Sequence, residues 1–304
     1  MINDAHCHFF STPLLAALAR QRARTPAETP ADLCRELGWD DPGTADALAD
    51  RWTQELDAAG VARSALIASI PGDEASVAAA VSRHPSRFVG FFMVDPSAAD
   101  ASERTRHAVT AQGLRGVCLF PAMHHVPLGD ARTTRVVEAA AAAPGTAVFV
   151  HCGVLSVGIR RKLGLPSRFD LSLGDPLGVS RLALAFPDTP FIIPHFGAGL
   201  FRETLMAADV APNIYLDTSS SNSWTRYVPG LTLDAVFAAA LAVVAPTRLL
   251  FGSDSSFFPR GWQRGIFEPQ MRIVEQLGLS RPDIQLIFGG NFDRLFTGVH
   301  GVVS

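Results

Sequence analysis

Short runs of apolar and β-branched residues recur along the chain, and each run ends at a glycine, a proline or a polar residue. Such runs are typical of buried β-strands. Eight are present, at residues 2–8, 62–69, 88–94, 114–120, 146–152, 190–196, 213–218 and 248–254. Between most of them lie alanine- and leucine-rich stretches of helical period, such as 75–83, 133–143 and 233–244. The pattern therefore predicts alternating strands and helices.

This alternation predicts an α/β protein with a single (β/α)₈ (TIM) barrel. Successive parallel strands need a crossover, and eight units are the number that closes into a barrel. An open doubly wound sheet is the alternative. Barrels of this type use ~250 residues or more as one domain, so we expect residues 1–304 to form one domain.

Three predicted connections are long, and all three follow strands. They come after the first, fifth and seventh strands, at roughly 9–60, 153–189 and 219–246. Loops that follow strands build the active-site face of a barrel, so we expect a substrate to bind there. The proline- and aspartate-rich stretch 25–42 is predicted to be a helical excursion or a lid.

Composition excludes several classes of partner. The chain is 48% hydrophobic with a formal net charge of −3, so it has no basic excess to attract nucleic acid. No apolar stretch is long enough to predict a membrane span, and no targeting segment opens the chain. The four cysteines lie far apart without a C-x-x-C pair. We expect a cytoplasmic protein and, as its oligomeric state, a homodimer.

The first strand ends in a histidine pair with one residue between, His6 and His8. A period of two sends both imidazoles to the same face of the strand. In a barrel that face is the interior. Two neutral imidazoles on one strand can approach a single cation, although this motif alone is a weak signal.

Three further ionisable residues each end an apolar run: His151, His195 and Asp254. An ionisable group is costly to bury unless a partner or a metal compensates for the lost water. Taken singly, each histidine is better explained as a hydrogen-bonded core residue. Together with His6 and His8, the set predicts a metal site at one end of the barrel.

These motifs resemble the amidohydrolase superfamily, specifically the branch that includes aminocarboxymuconate-semialdehyde decarboxylase. The resemblance covers nearly the whole chain. It rests on His6-x-His8, on the two strand-terminal histidines, on the Gly-Ser-Asp sequence at 252–254, and on the closing Gly-Asn-Phe-Asp-Arg-Leu-Phe sequence at 290–296.

The resemblance implies one divalent cation held by His6, His8, His151 and Asp254, with a water in the open position and His195 beside it as an acid or base. Zinc is the expected metal from the ligand types, and manganese is the alternative. Asp254 would also orient the water and so take part in catalysis.

A single lysine bears on the number of metals. Many binuclear members of the superfamily bridge two metals with a carboxylated lysine from the fourth strand. The predicted fourth strand, 114–120, contains no lysine, and the only lysine in the sequence, Lys162, lies in a later loop. We therefore expect a mononuclear site.

Two reactions fit these residues. The leading hypothesis is a hydrolase that directs a metal-activated water at an ester, lactone or amide of a small carboxylate-bearing substrate. The alternative is non-oxidative decarboxylation of an aromatic or unsaturated carboxylic acid. A barrel that has lost catalysis and only binds ligands is a third hypothesis, because a fold does not guarantee an activity.

Substrate contacts are predicted in the loops after the strands. Arg260, shortly after Asp254, is a candidate anchor for a carboxylate. His124 follows the fourth strand, near the expected mouth of the pocket. Trp262 could wall a flat substrate, although aromatic residues in barrel loops are more often packed in the interior.

Overall fold

The structure is a computed structural model, and it describes residues 1–24 and 27–296. Eight strands form one sheet, in which each strand runs parallel to the next in chain order. The strands are β1 (Ile2–Phe9), β2 (Val61–Ala68), β3 (Phe88–Val94), β4 (Gly116–Leu119), β5 (Ala147–Val150), β6 (Phe191–Ile193), β7 (Ile214–Asp217) and β8 (Leu249–Leu250). The predicted (β/α)₈ barrel is therefore confirmed.

The sheet closes through backbone hydrogen bonds between β1 and the segment that directly follows β8. The amide of Ala5 donates to the carbonyl of Phe251 at 2.9 Å, and the amide of His8 donates to that of Ser255 at 2.7 Å. In return the amide of Asp254 donates to the carbonyl of His6 at 2.9 Å. Both ends of the chain's barrel thus meet at the histidine pair.

Helices surround the barrel and follow the predicted alternation. They are α1 (Thr12–Arg22), α2 (Pro30–Leu37), α3 (Ala45–Ala59), α4 (Glu74–Arg83), α5 (Ala101–Thr110), α6 (Pro121–His124), α7 (Ala131–Ala141), α8 (Gly158–Lys162), α9 (Pro176–Ala185), α10 (Phe201–Val210), α11 (Leu233–Val244), α12 (Arg264–Gln276), α13 (Arg281–Gln285) and α14 (Asn291–Phe296). The predicted helices at 75–83, 133–143 and 233–244 correspond to α4, α7 and α11. No helix in the described part of the chain combines the length and the apolarity that a membrane span needs.

The core has two layers, as the alternation of side chains along each strand requires. On β2, Ala65 and Ile67 fill the barrel interior, whereas Leu66 and Ala68 pack outward against the helices. Gly116 leaves room inside the barrel, because a Cβ there would lie 2.1 Å from the ring of Phe91. The ring of Phe91 therefore packs directly against the backbone of Gly116.

The last strands are shorter than the sequence predicts. The predicted sixth and eighth strands extend to residues 196 and 254, but β6 ends at Ile193 and β8 at Leu250. His195 and Asp254 have φ values of 56° and 59°. This left-handed backbone cannot continue a strand, so both side chains lie on turns above the sheet.

The long connection after β1 packs against the one after β5. Leu14 and Leu18 of α1 and Leu33 of α2 form an apolar cluster with Ile159 and Leu163 from the connection after β5. The helical excursion predicted at 25–42 thus contains α2, while Thr25 and Pro26 lie outside the described residues.

Candidate metal centre

The histidine pair and Asp254 bring three donor atoms together. The Nε2 atoms of His6 and His8 are 3.3 Å apart. Oδ1 of Asp254 lies 3.2 Å from Nε2 of His8 and 3.7 Å from Nε2 of His6. One donor atom from each of the three residues lies within 4.8 Å of the others, which is close enough for one metal ion to bind them all.

His6 is oriented by the last residue of β7 and by a residue two positions further along the chain. Its Nδ1 lies 2.6 Å from Oδ2 of Asp217 and 2.9 Å from Oγ of Ser219. Because a carboxylate accepts, Nδ1 carries the proton and Nε2 keeps its lone pair for the cluster. Asp217 is fully buried, and sequence reasoning missed it. It also ends an apolar strand, as Asp254 was expected to, and that shared pattern could have identified it.

His195 is held from the same side. Its Nδ1 lies 2.9 Å from Oγ and 3.2 Å from the backbone oxygen of Ser219. A backbone carbonyl only accepts, which favours the tautomer with a proton on Nδ1 and a free lone pair on Nε2. Ser219 thus links His195 to His6, whereas the sequence indicated only a serine-rich turn.

His151 lies beside this group rather than within the 4.8 Å cluster. Its ring stacks on Phe120, with centroids 5.4 Å apart, and its centroid is 5.3 Å from that of His195. Nδ1 of His151 is buried without a hydrogen-bond partner in the described structure. A buried ring nitrogen left unpaired is costly, and a bound ligand or metal would relieve that cost.

Burial and neighbouring charges set the protonation states. Burial lowers the pKa of His8 and His195, and that of His151 falls well below the usual value. Burial opposes the charge of Asp254, but its bond to His8 and the nearby histidines hold its pKa far below the ordinary range. Neutral imidazoles and an ionised carboxylate are the forms that bind metal.

His6 is the exception. Burial works to lower its pKa, but the charge and hydrogen bond of Asp217 outweigh that effect and raise it. A bound divalent cation would compete for Nε2 of His6 with the second proton of the imidazole. The donor types, the close approach of three donor atoms and the unpaired nitrogen of His151 together fit a divalent metal ion.

Asp4, a second buried carboxylate, belongs to the scaffold. It accepts hydrogen bonds from the amides of His6 and Ser253, each at 3.0 Å, and from Nε1 of Trp262 at 2.7 Å. Burial nevertheless raises the pKa of Asp4. Trp262 is 5% exposed and lies in the core rather than at the cavity, so the structure does not place it where the sequence suggested a substrate contact.

A cavity of about 1120 Å³ opens above the cluster. All five predicted metal-site residues line it, together with His124 and Arg260. The guanidinium of Arg260 donates to Oγ of Ser256 at 2.6 Å and to the backbone oxygen of Asp254 at 3.2 Å. Of the three long connections, those after β1 and β5 line the cavity; in the described structure the one after β7 contributes only support from below, through Ser219.

Fold and site define a (β/α)₈ barrel with a histidine- and carboxylate-rich centre at the carboxyl ends of its strands. The chain belongs to the amidohydrolase family, whose sequence model matches residues 3–297. The resemblance noted from the motifs is therefore confirmed. A search of curated protein sequences finds no match.

Solved structures share the fold over nearly their whole length. A zinc-bound amidohydrolase from Burkholderia multivorans is 17% identical, with a TM-score of 0.63, and covers 98% of this chain and 99% of its own. A probable 2-pyrone-4,6-dicarboxylic acid hydrolase from Acinetobacter baumannii, with citric acid bound, is 16% identical, with a TM-score of 0.59 and coverages of 97% and 99%. A manganese-bound 5-carboxyvanillate decarboxylase from Novosphingobium aromaticivorans is 14% identical, with a TM-score of 0.65 and coverages of 98% and 97%.

Proposed function

We propose that this protein is a metal-dependent hydrolase that cleaves an ester, lactone or amide of a small carboxylate-bearing substrate. The observation that carries the proposal is the meeting of Nε2 of His6, Nε2 of His8 and Oδ1 of Asp254, with His195 beside them. Membership of the amidohydrolase family supports a reaction of this class.

His6, His8, His151 and Asp254 would hold one divalent cation, with zinc first and manganese as the alternative. The zinc and the manganese bound in two structures of the same fold support this choice. When bound, such a cation lowers the pKa of a water molecule and polarises a substrate oxygen.

The protein's own groups supply proton transfer and orientation. With Nδ1 of His195 bonded to Ser219, Nε2 is free to exchange a proton with a molecule in the cavity. Asp254 stays ionised near neutral pH and can accept a hydrogen bond from the attacking water. Arg260 lines the cavity and would bind a substrate carboxylate, and His124, which also lines it, is a second candidate for that contact.

Metal analysis and two variants test this proposal. Purified protein should contain about one zinc or manganese per chain, and a chelator should lower both its esterase or lactonase activity and its melting temperature. H195Q should keep the metal but lower kcat by about 10²-fold or more. H8Q should lose metal and activity together. Full activity in metal-free protein would refute the proposal.

Decarboxylation of an aromatic or unsaturated acid is the second candidate. The likeness to a 5-carboxyvanillate decarboxylase at a TM-score of 0.65 favours it, and the same cluster could hold a substrate oxygen beside the carboxylate. Release of carbon dioxide from hydroxybenzoate-type acids would favour this reaction, whereas proton release from lactones or esters without carbon dioxide favours hydrolysis.

A third possibility is a binding protein without catalysis. It would be favoured if neither zinc nor manganese raised the melting temperature, because a ligand that binds only the native state must stabilise it.

We also propose a cytoplasmic location, a homodimer and a single folding domain over 1–304. Cell fractionation, light scattering and limited proteolysis test them.

A further inference from the structure

We propose that the outer half of the cavity is a second subsite, which binds the apolar body and a distal anionic group of an elongated substrate. The reacting end of that substrate is assigned to the metal centre, so this inference rests on the proposed function. The distal group is a carboxylate or a phosphate-like anion, since both suit the same cationic partners.

The size of the cavity is the first observation. Its volume of about 1120 Å³ exceeds the range of roughly 300–1,000 Å³ that is usual for pockets that bind drug-sized ligands. A compact one-ring acid at the metal centre would leave much of it unfilled. The apolar wall of the cavity stabilises a complex only where the ligand removes it from water. An extended ligand covers more of this wall than a compact one does.

The wall of the outer half is apolar and well packed. Leu14 and Leu18 of α1, Ile159 of α8 and Ile70 after β2 line the cavity. The first three belong to the apolar cluster that joins the connections after β1 and β5, and Ile70 packs against it. This wall is therefore supported from behind and suits an apolar chain or ring.

A stacked aromatic pair lies among cations on the same side. The rings of Trp39 and Phe257 stack with centroids 3.9 Å apart and an interplanar angle of 13°. The guanidinium of Arg260 lies 4.6 Å from the Phe257 centroid. The ammonium of Lys162 lies 5.7 Å from the Phe257 centroid and 5.8 Å from that of Trp39. The connections after β1, β5 and β8 thus all contribute residues to this aromatic pair and its cations.

The lining has a clear charge imbalance. Arg160, Lys162, Arg168 and Arg260 line the cavity, whereas Asp254 is its only carboxylate among the described residues. Among the described residues, no carboxylate forms an ion pair with Arg160, Lys162 or Arg168. An anionic ligand would therefore meet cations whose charge the protein leaves unbalanced.

Two of these cations, Lys162 and Arg168, lie at the solvent end of the cavity. Lys162 and Arg168 are exposed, whereas His6, His151 and His195 are each 9% exposed or less. The part of the connection after β5 that carries Arg168 is held in place, because Nε2 of His125 donates to the backbone oxygen of Arg168 at 2.6 Å. A ligand that reaches both ends must be long enough to cross the apolar wall.

Calorimetric titration of the zinc-loaded protein tests this inference. The probes are straight-chain α,ω-dicarboxylates from succinate to dodecanedioate, their monocarboxylate counterparts, and ω-phosphonocarboxylates of the same lengths. We expect a dicarboxylate of the best length to bind about fivefold to tenfold more tightly than its monocarboxylate. The phosphonate series shows which distal anion is preferred.

Two variants test whether Lys162 and Arg168 provide that gain. K162Q/R168Q should bring dicarboxylate affinity down to that of the monocarboxylate, whereas R161Q, which removes an adjacent exposed arginine outside the cavity lining, should not. Equal affinities of the two acid series at every length, or equal behaviour of both variants, would overturn the inference. A failure of the proposed function is distinct, since chelation would then leave the affinity for monocarboxylates unchanged.

Discussion

Asp217 shows how a residue outside the predicted ligand set controls one inside it. Its carboxylate accepts from Nδ1 of His6 and, through Oδ1, from the amide of Ser219, each at 2.6 Å. The ring orientation of His6 and its free Nε2 therefore depend on a group 211 residues away in sequence. Supports of this kind are part of a metal site, because they set ligand orientation and basicity.

We expect D217N to weaken zinc binding by about 10–100-fold, because the amide carries no charge to favour the required tautomer of His6. Competition with a fluorescent zinc chelator measures the affinity. D209N, which removes an exposed carboxylate from α10, is the matched control. Equal zinc affinities of the two variants would show that Asp217 does not orient the ligand.

His151 should make the metal-free protein sensitive to acid. Burial places the pKa of His151 well below its usual value in the folded state. At a pH below that usual value, the unfolded chain therefore binds a proton at His151 that the folded protein does not. Stability should therefore fall as pH decreases from about 7.5 to 5.5, by up to about 1.4 kcal/mol per pH unit for this group.

Urea unfolding of the metal-free protein at several pH values measures this slope. H151F keeps a ring that can stack on Phe120 but has no titrating group, so it should flatten the dependence. H107Q serves as a control for the loss of a histidine, since His107 lies on the exposed face of α5. A slope that H151F leaves unchanged would assign the acid sensitivity to other groups, and the raised pKa of His6 acts in the opposite direction.

At the scale of elements, hydrophobic periodicity predicted the strands and helices, and turn geometry limited where the strands end. The apolar runs at 190–196 and 248–254 continue past β6 and β8, because residues 194–196 and 251–253 are buried on turns rather than in the ladder. Burial alone therefore could not locate these strand ends. The left-handed backbone of His195 and Asp254 carries no signal in residue type, since neither is glycine.

Gly252 is where the turn after β8 meets the metal centre. A Cβ at this position would lie 2.7 Å from Oδ1 of Asp217 and 2.8 Å from Cβ of His6. G252A should therefore displace one of them, lower zinc affinity and reduce the free energy of unfolding by about 1–3 kcal/mol.

G265A is the matched control, because a Cβ on Gly265 in α12 would meet no atom within 4 Å. Alanine favours a helix over glycine by up to about 1 kcal/mol, so this variant should be neutral or slightly stabilised. Zinc titration and urea unfolding compare the two. If G252A bound zinc as the wild type does, the site would be able to absorb the added carbon.

At the scale of the whole molecule, the net charge is negative but the charge around the cavity is positive. The chain has a net charge of −3, yet the described residues that line its cavity include four arginine or lysine cations and one carboxylate. Low-dielectric walls focus such a local field, so anions should be drawn to the cavity from a protein that is negative overall.

Salt should therefore weaken anion binding to the zinc-loaded protein. Between about 0.05 and 0.5 M sodium chloride, we expect affinity for a long dicarboxylate to fall several-fold through screening, while affinity for the matching α,ω-diol changes little. Titration calorimetry at both salt concentrations measures this difference. Parallel losses for the two ligands would show that the field of the cavity does not contribute.

The order of strands and helices, the closed barrel and the identity of five ionisable residues at one of its ends could all be predicted from the sequence alone. Apolar period and residue type are local properties, and the rule that parallel strands share one active face carries them into three dimensions. Only the tertiary structure decided that Asp217 and Ser219 support His6, that Trp262 closes the core on Asp4, and that the cavity is lined by cations without a carboxylate partner among the described residues. Those partners are distant in sequence, so no local pattern encodes their contacts, and they depend on which side chains the closed barrel brings face to face.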